Sequence, residues 1–283
     1  MNILVVGLGL IGGSLCKALK KYTQHTVIGC DTNKDVERLA KYEKSIDKCF
    51  KDDYSEVDLL IICLYPDTAR KYFLSAADKL KKGTAVTDVC GIKGEFADFM
   101  NETANKYGLR YVGMHPMAGK EFGGYRNSFA ELFQNANFII TPFEDSDSET
   151  AEMLKKLAKQ IGGKRLVVTS PYEHDKMIAY TSQLAHVVSS AYVKSPVIEK
   201  ECGFSGGSFQ DMTRIATMNE DMWSTLFLQN KENVLEELDT LIMNLGKYRK
   251  ALADSDKAEL SSLIHEGRRI KERNLKRRLG EPN

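Results

Sequence analysis

The sequence predicts an α/β protein, a doubly wound parallel sheet that gives way to an all-helical second part, and three observations carry that prediction. Short β-branched runs alternate with stretches of helical period over the first 170 residues. A glycine-rich segment joins the first of these runs to the first helical stretch. Past Ser170 the β-runs stop and only helical periods remain.

Taken in order, the apolar and β-branched runs at 2–7, 26–30, 57–63, 84–88, 110–114, 136–141 and 165–169 predict strands. Between them, 11–21, 33–43, 67–81, 92–107 and 146–161 predict helices, several of which end in Lys or Gly as helix C-termini prefer. The domain boundary is therefore expected at 169/170, with 1–169 the sheet domain and 170–283 the helical one. In the second part, 171–195, 206–217, 219–247 and 254–279 predict long helices. Val234, Leu235, Leu238, Leu241, Ile242 and Leu245 form an apolar stripe at three-four spacing. A helical part of this size does not comfortably cover so many apolar faces, so a homodimer through the C-terminal helices is expected, with packing inside one chain as the alternative. From His265 to Asn283 seven Lys/Arg face three Glu, which reads as the solvated end of the last helix rather than a nucleic-acid arm, because no aromatic residues interleave.

Composition narrows the function. The 283 residues carry 40 Lys+Arg against 39 Asp+Glu, a net charge of +1, which argues against nucleic acid or a membrane surface as partner and for a small molecule. The six cysteines include no CxxC pair, so no metal site is expected. No apolar stretch is long enough to span a membrane. Met1 to Val6 lacks a basic region and runs straight into glycines, as a strand does and a signal peptide does not. A reducing, cytoplasmic setting is the expectation.

Gly7-Leu8-Gly9-Leu10-Ile11-Gly12 follows the first strand and opens the first helix, the order that a Rossmann-type dinucleotide site requires. Gly7 allows the tight turn, Gly9 the approach of the pyrophosphate, and Gly12 close packing of helix on strand. The phosphates would rest on the positive end of the helix. Asp31 ends the second strand, 19 residues after Gly12, where a carboxylate accepts from the ribose hydroxyls and repels a 2′-phosphate. NAD is thus expected over NADP, with Lys34 close enough to soften the preference. A second reading of Asp31 is a cap for the helix that starts near Asn33. Leu64, just past the strand at 57–63, is grouped with the cofactor residues.

Few titratable residues stand at strand ends. His115 lies just past the strand 110–114 and before Pro116, placed to face the nicotinamide, and a neutral imidazole there accepts a proton from a hydroxyl whose carbon loses hydride. His174 and His186 lie 12 residues apart on one predicted helix, rotated by about 120°, so only one is expected to reach the cleft. Arg214 follows a glycine turn, and its planar fork suits a carboxylate; an ordinary ion pair with Asp211 fits the spacing equally well.

Several motifs together resemble the prephenate/arogenate dehydrogenase family of tyrosine biosynthesis over nearly the whole chain. They are Gly7 to Ser14, Thr87-Asp88-Val89, His115-Pro116-Met117-Ala118-Gly119, Glu173-His174-Asp175, Ser182-Gln183-Leu184-Ala185-His186 and Asp211-Met212-Thr213-Arg214-Ile215-Ala216. The resemblance implies a Rossmann domain followed by a helical dimerisation domain, and NAD-dependent oxidative decarboxylation of prephenate to 4-hydroxyphenylpyruvate, with an arogenate dehydrogenase of the same fold as the first alternative and a Rossmann-type hydroxyacid dehydrogenase, whose usual catalytic Lys has no clear counterpart here, as the second. It further implies that His115 takes the proton of the substrate hydroxyl and that Arg214 and His186 hold the substrate. By the same resemblance Glu121 lies in a loop gating the cleft, and Trp223 provides an aromatic wall.

Two positions depart from the family pattern. Gly91, in Cys90-Gly91-Ile92-Lys93, stands where many members have a serine, with Cys90 or water the candidates to replace its hydroxyl. Gln210 stands where some have a lysine, which removes a cation and bears on the choice between prephenate and arogenate. The length leaves no room for a fused regulatory or mutase domain, so any feedback by tyrosine is expected at or near the active site.

Overall fold

In the computed structural model, which describes residues 1–120 and 122–279, two sheets follow one another along the chain. The first is built from β1 (Asn2–Val6), α1 (Leu10–Tyr22), β2 (Thr26–Cys30), α2 (Lys34–Tyr42), β3 (Lys48–Cys49), β4 (Leu59–Ile62), α3 (Pro66–Ala76), β5 (Ala85–Asp88), α4 (Gly94–Tyr107) and β6 (Arg110–Tyr111). Its six strands are all parallel, in the order β3-β2-β1-β4-β5-β6. The order reverses between β1 and β4, the point at which such sheets open a ligand crevice.

Both faces of this sheet are covered, which is why its central strands are continuous apolar runs rather than alternating ones. Ile3, Val5, Leu59 and Ile61 pack with Leu15 and Leu19 of α1. Leu4, Val6, Leu60 and Ile62 point the other way, onto Phe73 of α3 and Phe96 and Met100 of α4.

The second sheet holds β7 (Gly113–Pro116), β8 (Asn137–Thr141) and β9 (Arg165–Val168), with α5 (Ser148–Gln160) between the last two. β7 runs antiparallel to β8, and β8 parallel to β9. The expected single strand at 110–114 is thus two. Arg110 and Tyr111 pair with β5, whereas Gly113 to Pro116 pair with β8. Gly113 makes the transfer possible, since a Cβ there would lie 2.4 Å from the Thr141 hydroxyl. An uninterrupted apolar run carries no sign of which neighbour each half pairs with. As a consequence His115 sits inside β7, opposite Ile139, and not beyond a strand end.

After β9 every described element is helical: α6 (Pro171–Ile178), a π turn (Ala179–Gln183), α7 (Leu184–Tyr192), α8 (Gly207–Thr213), α9 (Glu220–Gln229), α10 (Lys231–Ala253) and α11 (Lys257–Leu279). The expected helix at 219–247 breaks at buried Asn230, whose amide turns inward to the Asp175 carbonyl and the Gln183 side chain. By internal packing the chain forms two units, Met1–Lys231 and Glu232–Asn283. In the second, Leu235, Ile242 and Leu245 of the expected stripe are exposed, as are Ile264 and Ile270 of α11. None of the described helices is long and apolar enough to cross a membrane.

Candidate active site

The glycine segment lies at the carboxyl end of β1. Gly7 adopts φ +86°, and a Cβ there would meet the Cys63 carbonyl at 2.5 Å and the Leu64 side chain at 2.7 Å. At Gly12 a Cβ would fall 1.8 Å from the Gly7 carbonyl, so the start of α1 packs backbone to backbone against the turn. Gly9 differs from both: nothing lies within 4 Å of its would-be Cβ, and as N-cap of α1 it offers no side-chain cap. An open backbone cradle at an uncapped helix N-terminus fits a pyrophosphate. Leu10 is buried and Ile11 half-buried behind it, and Leu64 closes the side toward β4.

Asp31 ties this loop to the end of β2. Its carboxylate accepts from Leu8 N at 2.7 Å and from Asn33 N at 2.8 Å. The cap of α2 is Asn33 itself, whose side chain accepts from Asp35 N.

At the carboxyl end of β5 the polar groups are buried. Lys93 and Asp88 are both 0% exposed and paired at 2.5 Å. The Lys93 ammonium also donates to the carbonyls of Cys90 and Met114, and Asp88 accepts from the Tyr111 hydroxyl and Cys90 N. A buried pair satisfied on every side is rigid, and removal of one partner strands the other.

On this base rests a line of three groups: His115 Nδ1 lies 2.9 Å from His174 Nε2, and His174 Nδ1 lies 2.7 Å from Asp175 Oδ1. The network fixes the tautomers. Asp175 Oδ1 already accepts the Lys93 backbone N–H, so it also accepts from His174 Nδ1–H, and any carboxyl proton resides on the other oxygen. His174 Nε2 is then an acceptor, His115 donates from Nδ1, and His115 Nε2 keeps a free lone pair. That nitrogen faces Gly91, 3.8 Å from where a Cβ would stand.

Burial, with the charges of His174 and Lys93 adding to it, holds His115 well below the ordinary histidine range. Burial, aided by Lys93, lowers His174 to about 3. Both imidazoles are therefore neutral at physiological pH. Burial lifts Asp175 to about 7, against the pull of the Lys93 N–H and ammonium. The Cys90 thiol is turned away, toward the Leu64 carbonyl at 3.4 Å, and burial pushes it far up, so it does not stand in for a hydroxyl at position 91.

A second group comes from the helices. His186 stacks on Trp223, ring centroids 3.7 Å apart, and its Nδ1 is held by the Ser182 carbonyl at 2.9 Å. Burial and, after it, the charge of nearby Arg214 lower the His186 imidazole, so these three side chains belong to one neighbourhood. The expectation that only one of His174 and His186 would reach the cleft assumed an unbroken α-helix. The π turn at Ala179–Gln183, closed by Leu184 N to Ala179 O, absorbs one extra residue and brings the two histidines to within about 20° of one face. Glu121 lies outside the described residues.

Asp88, Lys93 and Asp175 lie within the sequence motifs, but the sequence alone assigns them no role. For Asp88 and Lys93 a signal was available, since charged residues at and just past the end of a buried apolar strand rarely serve the surface, whereas Asp175, on α6, carried none. Among the described residues no cluster of His, Cys, Asp or Glu could hold a metal ion. The arrangement can take a proton at His115 Nε2.

Comparison with known proteins gives two consecutive family-model matches. "Prephenate dehydrogenase, nucleotide-binding domain" matches residues 15–167, and "Prephenate dehydrogenase, dimerization domain" matches residues 170–266. Prephenate dehydrogenase of Bacillus subtilis is 29% identical over 273 residues, 92% of this chain and 72% of that protein. Cyclohexadienyl dehydrogenase of Zymomonas mobilis is 29% identical over 269 residues, 90% of this chain and 89% of that protein. Among solved structures, prephenate dehydrogenase from Aquifex aeolicus in complex with hydroxyphenyl propionate and NAD+ superposes with a TM-score of 0.86 at 28% identity, covering 97% of this chain and 98% of that one.

Proposed function

The chain belongs to the prephenate dehydrogenase family, and from that premise we propose that it catalyses the NAD-dependent oxidative decarboxylation of prephenate to 4-hydroxyphenylpyruvate. The observation that carries this reading is a neutral His115 whose bare Nε2 stands beside Gly91, which follows β5, two strands along the sheet from the glycine cradle at the end of β1. Gly7, Gly9, Leu10, Ile11, Gly12 and Leu64 would hold the dinucleotide, and Asp31 its adenine ribose.

The cofactor, when bound, accepts a hydride from the ring carbon that bears the hydroxyl. His115 Nε2 takes the hydroxyl proton as that hydride leaves, and the line through His174 to Asp175 spreads the resulting positive charge. The bond to the ring carboxylate then breaks, carbon dioxide departs, its electron pair aromatises the ring, and the resulting phenolate oxygen takes the proton back from His115 Nε2. Arg214 would hold the remaining carboxylate bidentately, and His186 on Trp223 would form the wall beside the ring.

The two family-model matches support a functional boundary at 169/170 and a homodimer through the second part, whose exposed apolar residues on α10 and α11 such a partner would cover. Six free cysteines support a reducing cytoplasmic compartment.

The test is to supply purified protein with NAD+ and prephenate and to quantify NADH, carbon dioxide and 4-hydroxyphenylpyruvate. Equal amounts of the three establish the reaction. Turnover with arogenate in place of prephenate would shift the substrate assignment, and silence with both would refute the reading.

A further inference from the structure

We propose that Glu37, a residue with no place in the catalytic chemistry, sets the discrimination between NAD and NADP by neutralising Lys34 at the ribose rim; this rests on the reading of the glycine loop as an NAD site. Asp31 alone does not decide the preference, because the adjacent Lys34 could swing over and pair with a 2′-phosphate. The structure shows what prevents it. Glu37 is buried in α2, its side chain only 6% exposed, and its Oε1 is fixed by the backbone N–H of Asp31 at 2.9 Å. The same oxygen takes the Lys34 ammonium at 2.8 Å, and the Asp31 carbonyl takes it at 3.2 Å.

Two consequences follow from that geometry. The lysine head is held behind the Asp31 backbone by a buried anchor rather than left on a flexible stem, although 61% of its side chain is exposed. The rim also carries two carboxylates against one ammonium, a net negative charge where a 2′-phosphate would bring two more. Glu37 thereby acts twice: it tethers the only cation within this turn of chain, Asp31-Thr32-Asn33-Lys34, and it fixes the Asp31 backbone from which the ribose-binding carboxylate projects.

The experiment is calorimetric titration of the full-length protein with NAD+ and with NADP+, which reads binding without turnover. In Glu37→Gln the amide oxygen still accepts the Asp31 N–H while the charge that holds Lys34 is gone. The affinity ratio of NAD+ to NADP+ should fall about fivefold, mostly through tighter NADP+ binding. The exposed Lys34→Ala should move the ratio the opposite way by roughly threefold, with NAD+ binding nearly unchanged. In the double variant the gain of Glu37→Gln should vanish. A Glu37→Gln ratio equal to wild type overturns the inference, as does a gain that survives Lys34→Ala. If Glu37→Gln does not fold, Lys34→Ala decides: equal losses for both dinucleotides overturn the inference. Failure of the wild-type protein to bind NAD+ would instead remove the underlying nucleotide-site reading.

Discussion

The polar groups around His115 and those around Arg214 follow opposite building rules. Around His115 the groups are buried and fixed by short hydrogen bonds, and an ion pair with no solvent exposure lies beneath them. Around Arg214 the groups come from three short elements, His186 on α7, Arg214 at the end of α8 and Trp223 on α9, the last two helices having no buried residue, and a ring stack joins His186 to Trp223. Proton transfer and substrate capture need different kinds of energy. Proton transfer gains from a dry, preset geometry that requires no reorganisation during the step. Capture of a charged substrate needs a surface that water can leave and the ligand can enter.

The sharpest break of this contrast is His115→Asn, which should lower turnover by roughly 10² to 10⁴ while NAD+ binding, read by calorimetry, stays intact. Wild-type turnover would remove His115 as the base. Next in size, Lys93→Met leaves Asp88 buried with only the Tyr111 hydroxyl and Cys90 N as partners. Urea unfolding should register a loss of about 3–5 kcal/mol, where a surface lysine would cost almost nothing. On the helical side Arg214→Ala should act mainly on substrate capture, with KM rising about tenfold to a hundredfold and kcat falling less, as steady-state kinetics will read. Equal falls in kcat and kcat/KM would place Arg214 with the proton-transfer group and erase the contrast.

A further effect is one of pH. Asp175 sits near 7 in the folded protein against 3.8 for an ordinary aspartate. Between these values the folded state keeps a proton that the unfolded chain has lost, so this group makes stability decline as pH rises through that window. Asp175→Asn should flatten the decline in unfolding midpoints measured across it. An unchanged slope would mean that some other group carries it.

Much of this division could be read in the sequence, for physical reasons. The glycine spacing is dictated by backbone contacts so close that other residues cannot enter, as the 1.8 Å approach at Gly12 illustrates, and such constraints leave a local mark. The covered parallel sheet likewise writes itself as apolar runs. What stayed illegible depends on partners distant in sequence. The pairing of His115 with His174 spans 59 residues, and the anchor of Asp175 on Lys93 spans 82. The two-residue β3 is too short for any periodicity, and the split of 110–114 is decided by β8, more than 20 residues away. The π turn defeated a face calculation that assumed 100° per residue throughout.

His115 is a base prepared in advance, with Nε2 bare and Nδ1 protonated by virtue of His174 and Asp175. Nitrogen-15 NMR of the labelled imidazoles reads this directly. The expected result is a His115 Nε2 that stays unprotonated as pH falls through about 6.5, the ordinary histidine value, with Nδ1 carrying the proton throughout. A His115 Nε2 that is protonated at neutral pH, or that titrates at that ordinary value, would contradict it.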